Sequence, residues 1–244
     1  MRFSPLPWAG REARDVAGLW RRSDPDEDVA SLTGRDAGEA ALKRLGPGRR
    51  IIHLATHGFF LGEDCVRSLD GTRSVGGLVA ASPVAKPAPS KARHQQTMVE
   101  NPLLSSGLAL AGANRRQAAA SEQDDGILTA EEVAALDLEG VEWAVLSACD
   151  TGLGHVRAGE GVFGLRRAFQ LAGVRTVVMS LWAVEDRSAG SWMRALYDAR
   201  LRRHLDTADA VHAASLAVLA ERRQQKLSTA PFYWAGFVAA GDWR

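Results

Sequence analysis

Three short segments restrict the fold of this chain more than anything else in it. Residues 51–56 (IIHLAT), 141–147 (VEWAVLS) and 175–184 (RTVVMSLWAV) are apolar nearly throughout, without regular polar alternation. A strand with one wet face alternates. A strand that does not alternate is covered on both faces, as central strands of parallel sheets are. Parallel neighbours need crossover connections, and helical patterns supply them. Residues 161–172 (GVFGLRRAFQLA), closed by Gly173, read as a helix between the second and third segments. The expectation is an α/β fold with a mostly parallel central sheet between two helical layers. In such sheets chemistry sits outside the carboxyl ends of the strands.

The other segments fit around this frame. Residues 12–20 carry Val16, Leu19 and Trp20 at helical spacing, and 36–45 form a helix stopped by Gly46-Pro47-Gly48. Thr129 and Glu132 make a capping box that opens a helix to Leu136. Residues 186–204 and 208–223 read as long helices, the second capped by Thr207. Residues 29–33 and 232–240 read as strands. Between 59 and 125 lies a long insertion with Gly71, Gly76, Gly77, Pro83, Pro87 and Pro89. Within it 103–112 (LLSSGLALAG) is apolar enough to pack, and 83–98 is expected to be its most mobile part.

At 244 residues the chain suits one domain with its own core. Its 30 basic and 29 acidic residues leave a net charge of +1, which argues against a globally basic nucleic-acid binder. Two cysteines, Cys65 and Cys149, give no disulfide framework and point to a reducing compartment. The longest apolar run is too short to span a membrane, and the first residues lack a signal-peptide core. A cytoplasmic protein without a membrane partner is expected.

Two predicted strands run out onto reactive side chains, His57 after IIHLAT and Cys149 after VEWAVLSA. A thiol attacks as its thiolate, and a neighbouring imidazole lowers its pKa or takes its proton. Gly58, Ala148 and Gly152 keep the surroundings small enough for a carbonyl to approach. On spacing alone the pair reads equally well as a buried structural thiol and an unrelated strand-end histidine. The G-x-G-x-x-G at 159–164 lacks the strand that a dinucleotide site needs immediately before it. His53 and His57 sit on a strand rather than in a helical HExxH, so His53 reads as a core residue. Arg194, Arg200, Arg202 and Arg203 read as a solvated helix face without interleaved aromatics. No cofactor, metal or nucleic-acid partner is expected.

Five blocks carry a family resemblance: HLATHGFF (53–60), NPLLSSGLALAGAN (101–114), DGILTAEEVAALDL (125–138), the run from VLSACDTGLG to LWAVED (145–186), and PFYWAGFVAAGDW (231–243). Their order and content resemble the CHAT domain, which belongs with the caspase, separase and gingipain group of cysteine peptidases. The resemblance implies a single caspase-like three-layer α/β/α domain over 1–244. It implies hydrolysis of peptide bonds in a protein or peptide substrate by a Cys149–His57 dyad. The backbone N–H groups of Gly58 and Cys149 are then the oxyanion donors. In related separases an acidic residue after a similar LW-x-V motif reads a basic side chain, and Asp186 stands at that position. The plainer reading, and the one the sequence favours slightly, is that Asp186 N-caps the following helix. Trp182 belongs to the core or the cleft wall. Asp150 either reaches the substrate or faces solvent in a turn. Glu160 falls in the family's GEG block and His155 in the loop after the nucleophile.

The resemblance also implies an earlier segment with a sheet strand, and tetratricopeptide repeats upstream. This chain enters the family pattern near its middle, at PLPWAGREARD. A sheet lacking an N-terminal strand is therefore expected, with an upstream repeat domain or a regulatory protein as partner. The alternative to a peptidase is a catalytically silent CHAT module that signals by binding.

Overall fold

The computed structural model describes residues 2–60, 103, 106–118, 124–147, 156–157, 161–162, 164–182 and 184–242. In chain order the elements are α1 (Ala9–Ser23), α2 (Glu39–Leu45), β1 (Ile51–Ala55), β2 (His57–Phe60), β3 (Ser106–Ala109), β4 (Ile127–Thr129), α3 (Ala130–Ala134), β5 (Trp143–Ser147), β6 (Val156–Arg157), β7 (Gly161–Val162), α4 (Leu165–Leu171), β8 (Thr176–Ser180), α5 (Asp186–Leu201), α6 (Thr207–Gln224) and β9 (Phe237–Gly241). Four strands form the central sheet in the order β1-β5-β8-β9. The first three are parallel and β9 closes one side antiparallel, so the mostly parallel α/β architecture holds.

The apolar runs are unbroken because successive residues serve opposite faces. Ile52, Leu54, Ala144, Leu146, Val177 and Met179 face a core shared with α3 and α4. Ile51, Trp143, Val145 and Val178 face a second core built with α1, α5 and α6. Two helical layers with a sheet between them are the three-layer arrangement expected of a caspase-like fold. Within the second core the Trp192 and Phe237 rings stack with centroids 4.5 Å apart. No described helix is long and apolar enough to cross a membrane.

His53 is a core residue, as its strand position implies. Its Nε2–H donates to Glu12 Oε1 at 2.9 Å and its Nδ1 accepts from the Tyr197 hydroxyl at 3.1 Å. Burial, aided by the Glu12 carboxylate, pushes the Tyr197 phenol well above its ordinary pKa, so it remains a donor. The buried polar atoms of α1, β1 and α5 thus satisfy one another.

A second sheet, β2-β3-β4, is antiparallel throughout. The chain passes from the first sheet to the second through a single residue, Thr56, whose hydroxyl donates to the Ala109 carbonyl. Part of the 59–125 segment is therefore sheet, including residues 106–109 of the apolar stretch 103–112 that the sequence marked for packing. The segment predicted to be most mobile, 83–98, lies outside the described residues, as does Cys65.

Several boundaries differ from the sequence reading for local reasons. Residues 29–33 form no strand; most of them are exposed, with too little apolar surface to hold an edge. Helix α4 starts at Leu165 and not at 161, because Gly161 and Val162 pair with β6 and Gly164 takes a φ of +147°. Asp206, not Thr207, caps α6 by accepting from the Asp209 N–H. The Thr207 hydroxyl is turned inward and accepts from the Trp143 indole at 3.2 Å. The last strand starts at Phe237, after a 3-10 turn at Pro231–Tyr233. The Thr129–Glu132 capping box is formed as read.

The turn into β4 depends on Gly126, with φ at +85° and its hypothetical Cβ driven onto the Ala113 nitrogen and to 2.6 Å from the Gly112 carbonyl carbon. Backbone atoms cannot give way as a flexible side chain can. Gly126→Ala is expected to cost about 2–3 kcal/mol in a urea melt, from the left-handed conformation plus overpacking.

Candidate active site

His57 begins β2, where the chain has just left the parallel sheet. In β1 and β5, parallel neighbours, Ala55 lies opposite Ser147. His57 comes two residues after Ala55, and Cys149 two residues after Ser147. Cys149 itself lies outside the described residues, together with Ala148, Asp150, Gly152, His155 and Glu160.

The Gly58 backbone can be followed through the register of the second sheet. The Leu110 N–H donates to the Gly126 carbonyl, so Leu110 faces β4. Alternation along β3 then turns Ala109 and Gly107 toward β2, where their partners are His57 and Phe59. Gly58, opposite Leu108, directs its N–H away from β3, toward the edge of β2 that pairs with no other described strand. A donor on that edge can reach a ligand without breaking the ladder.

Around His57 the structure assembles residues that the sequence reading did not single out. The His57 Nε2 lies 2.6 Å from the Ser4 carbonyl oxygen; a carbonyl only accepts, so this nitrogen carries the proton. The Phe3 ring sits 5.6 Å from the imidazole and 6.0 Å from the Phe59 ring. Beneath them Ala109, Ala113 and Ile127 form a small apolar cluster onto which Phe3 and Phe59 pack. Asn114 grips the Phe3 backbone twice, accepting from its N–H at 2.7 Å and donating to its carbonyl at 2.8 Å. Asn114 ends the AGAN of the second family block, yet nothing in its spacing marks it as a peptide clamp.

Asp186 is the first residue of α5 and not its N-cap, which is Glu185. Its Oδ2 accepts from the Trp8 N–H at 3.1 Å. The path from Ser4 to Trp8 spans at most about 14 Å of extended chain, so His57 and Asp186 lie within about 20 Å of each other. Trp182 is half-buried, and its indole donates to the Phe232 carbonyl at 3.0 Å. Val184 Cγ2 would lie 2.7 Å, and Trp182 Nε1 3.2 Å, from a Cβ at Gly236, which fixes the wall that Trp182 forms against the last strand.

The wider support of the site is electrostatic. Glu39, fully buried on α2, accepts from Lys43 at 2.6 Å and from the Gly126 N–H at 3.2 Å. Lys43 reaches on to Glu132 at 2.9 Å. Burial raises the Glu39 carboxyl despite Lys43. Burial acts on Glu132 in the same sense, but hydrogen bonds from Thr129 and Lys43 hold it below its ordinary value. Among the described residues no group of His, Cys, Asp and Glu side chains is arranged to hold a metal ion.

No curated protein matches the chain. The family model of the CHAT domain, a caspase-like and protease-related family, matches residues 1–242. With that match over essentially the whole chain, and a mostly parallel sheet between two helical layers, the protein belongs to the CHAT-domain family.

Proposed function

We propose that this CHAT domain is a cysteine endopeptidase that hydrolyses peptide bonds in a protein substrate, with Cys149 the nucleophile and His57 the acid and base. The observation that carries the reading is the parallel pairing of β1 with β5, Ala55 against Ser147. Both strands run in the same direction and end at the same rim of the sheet, which supports an imidazole and a thiol on one side.

The chemistry then runs in two halves. The Cys149 thiolate attacks the scissile carbonyl, the carbon–nitrogen bond breaks, and His57 gives its proton to the leaving amine. Water then attacks the thioester, His57 takes its proton, and the carboxylic product leaves the thiol free. Negative charge that builds on the carbonyl oxygen is met by the N–H groups of Gly58 and Cys149. The edgeward direction of the Gly58 N–H supports that role. Asp186 pairs with an Arg or Lys before the cut, and Trp182 lines the same wall. Asp150, directly after the nucleophile, contacts the bound peptide.

A positional library of peptides that carry a thiol-reactive electrophile tests the reading. Mass spectrometry is expected to find the adduct on Cys149, with Arg and Lys enriched in the first position. In Asp186→Ala the enrichment is expected to fall by about tenfold or more while Cys149 still reacts. Labelling elsewhere than Cys149 would reject the nucleophile, and an unchanged profile in Asp186→Ala would reject the pocket.

A further inference from the structure

We infer that residues 2–8 form an autoinhibitory strap that occupies the peptide path beside His57 and leaves it before a substrate binds. The inference rests on the peptidase reading for its consequence, but its contacts stand by themselves. One short segment engages both side chains that the chemistry singles out. Ser4 takes the proton of His57 Nε2 into a hydrogen bond, and Trp8 gives its N–H to Asp186. Phe3 is held as a bound peptide residue would be, with both backbone polar groups satisfied by Asn114 and its ring on the shelf of His57, Phe59, Ala113 and Ile127.

The strap is built to be released. Apart from Phe3 and Leu6 its residues are exposed, and Pro5 and Pro7 have no N–H with which to join a sheet. Among the described residues its grip on β2 and the Asn114 turn is one aromatic ring and three hydrogen bonds, two of them with one exposed asparagine side chain. A substrate that lays an apolar side chain on the shelf displaces Phe3, whereas the Asn114 clamp serves the strap alone. Occupancy of the path is then a competition between a tethered peptide and a free one.

The test compares wild type with Phe3→Ala and Asn114→Ala, none of which alters the proposed dyad. A peptidyl electrophile ending in Arg is expected to label Cys149 about tenfold faster in both variants, through loss of the ring contact in Phe3→Ala and of two hydrogen bonds in Asn114→Ala. Iodoacetamide, too small to need the path, is expected to react at the same rate in all three proteins. An excess of the free peptide RFSPLP is expected to slow Phe3→Ala back toward the wild-type rate and to have little effect on Asn114→Ala, which lacks the clamp. Equal rates with the peptidyl probe, or acceleration with both reagents alike, would overturn the strap. If no reagent labels Cys149 in any of the three proteins, the peptidase reading fails. The strap is then judged by NMR, where contacts between the Phe3 and His57 rings are expected in wild type and lost in Asn114→Ala. Their absence in wild type overturns it.

Discussion

Cys149→Ala is expected to lower kcat/KM for a cleavable peptide by about 10³-fold or more, and His57→Ala by about 10²–10⁴-fold. The two losses have different origins. Without the sulfur no acyl-enzyme forms, whatever the state of the imidazole. Without the imidazole a thiolate still attacks, but the leaving amine has no proton donor and the thioester has no base to activate water. The double variant is expected to be no worse than Cys149→Ala, because residues that act as a unit are not additive. His57→Ala also removes the ring under Phe3, so His57→Gln is the better partner for comparison; it keeps a polar group toward Ser4. Circular dichroism of each variant separates lost chemistry from lost fold. Undiminished cleavage by either single variant would remove the dyad.

Lys43→Met is expected to destabilise the fold by about 3–5 kcal/mol, because it leaves the Glu39 carboxylate buried without its cation. For a chain of this length that is a fall in melting temperature of roughly 10 °C. The Gly126 N–H would remain on Glu39 but brings no charge. The dependence on pH identifies the cause. Glu39 already has a carboxyl raised above its ordinary 4.5, so the folded state holds that proton more tightly than the unfolded chain. A raised carboxyl costs stability when ionised, and the cost shrinks as pH falls through the folded value toward 4.5. The deficit of Lys43→Met relative to wild type is therefore expected to narrow in mildly acidic buffer. Glu39→Gln combined with Lys43→Met is expected to recover much of the loss at neutral pH. A deficit that is constant across pH would mean that Lys43 acts through packing of its stem instead.

The frame of the molecule was legible because its signal is dense. IIHLA, WAVLS and TVVMS each supply side chains to two cores, and no other arrangement accounts for such runs. The ends of the first two gave His57 and Cys149 as candidates by position alone. The second sheet was not legible. Its strands are three or four residues long, too short for a period to declare itself, and Phe59 meets Gly107 across nearly fifty residues of intervening chain. At 161–162 the pattern read as helix, and only the pairing with β6 and the glycine dihedral at 164 decide otherwise. Asp206 and Thr207 are both good caps. The choice fell to Asp206 because the Trp143 indole claims the threonine hydroxyl. The segment RFSPLP has no periodicity at all, and its place at His57 comes from a partner, Asn114, more than a hundred positions away.

The single-residue passage at Thr56 has a mechanical meaning. The imidazole rides on the antiparallel sheet, whereas the thiol follows a strand of the parallel one. On the proposed peptidase reading, whatever presses on or tugs at the smaller sheet is geared to the spacing of His57 from the carboxyl end of β5. Thr56, pinned to Ala109, is the fulcrum of that lever.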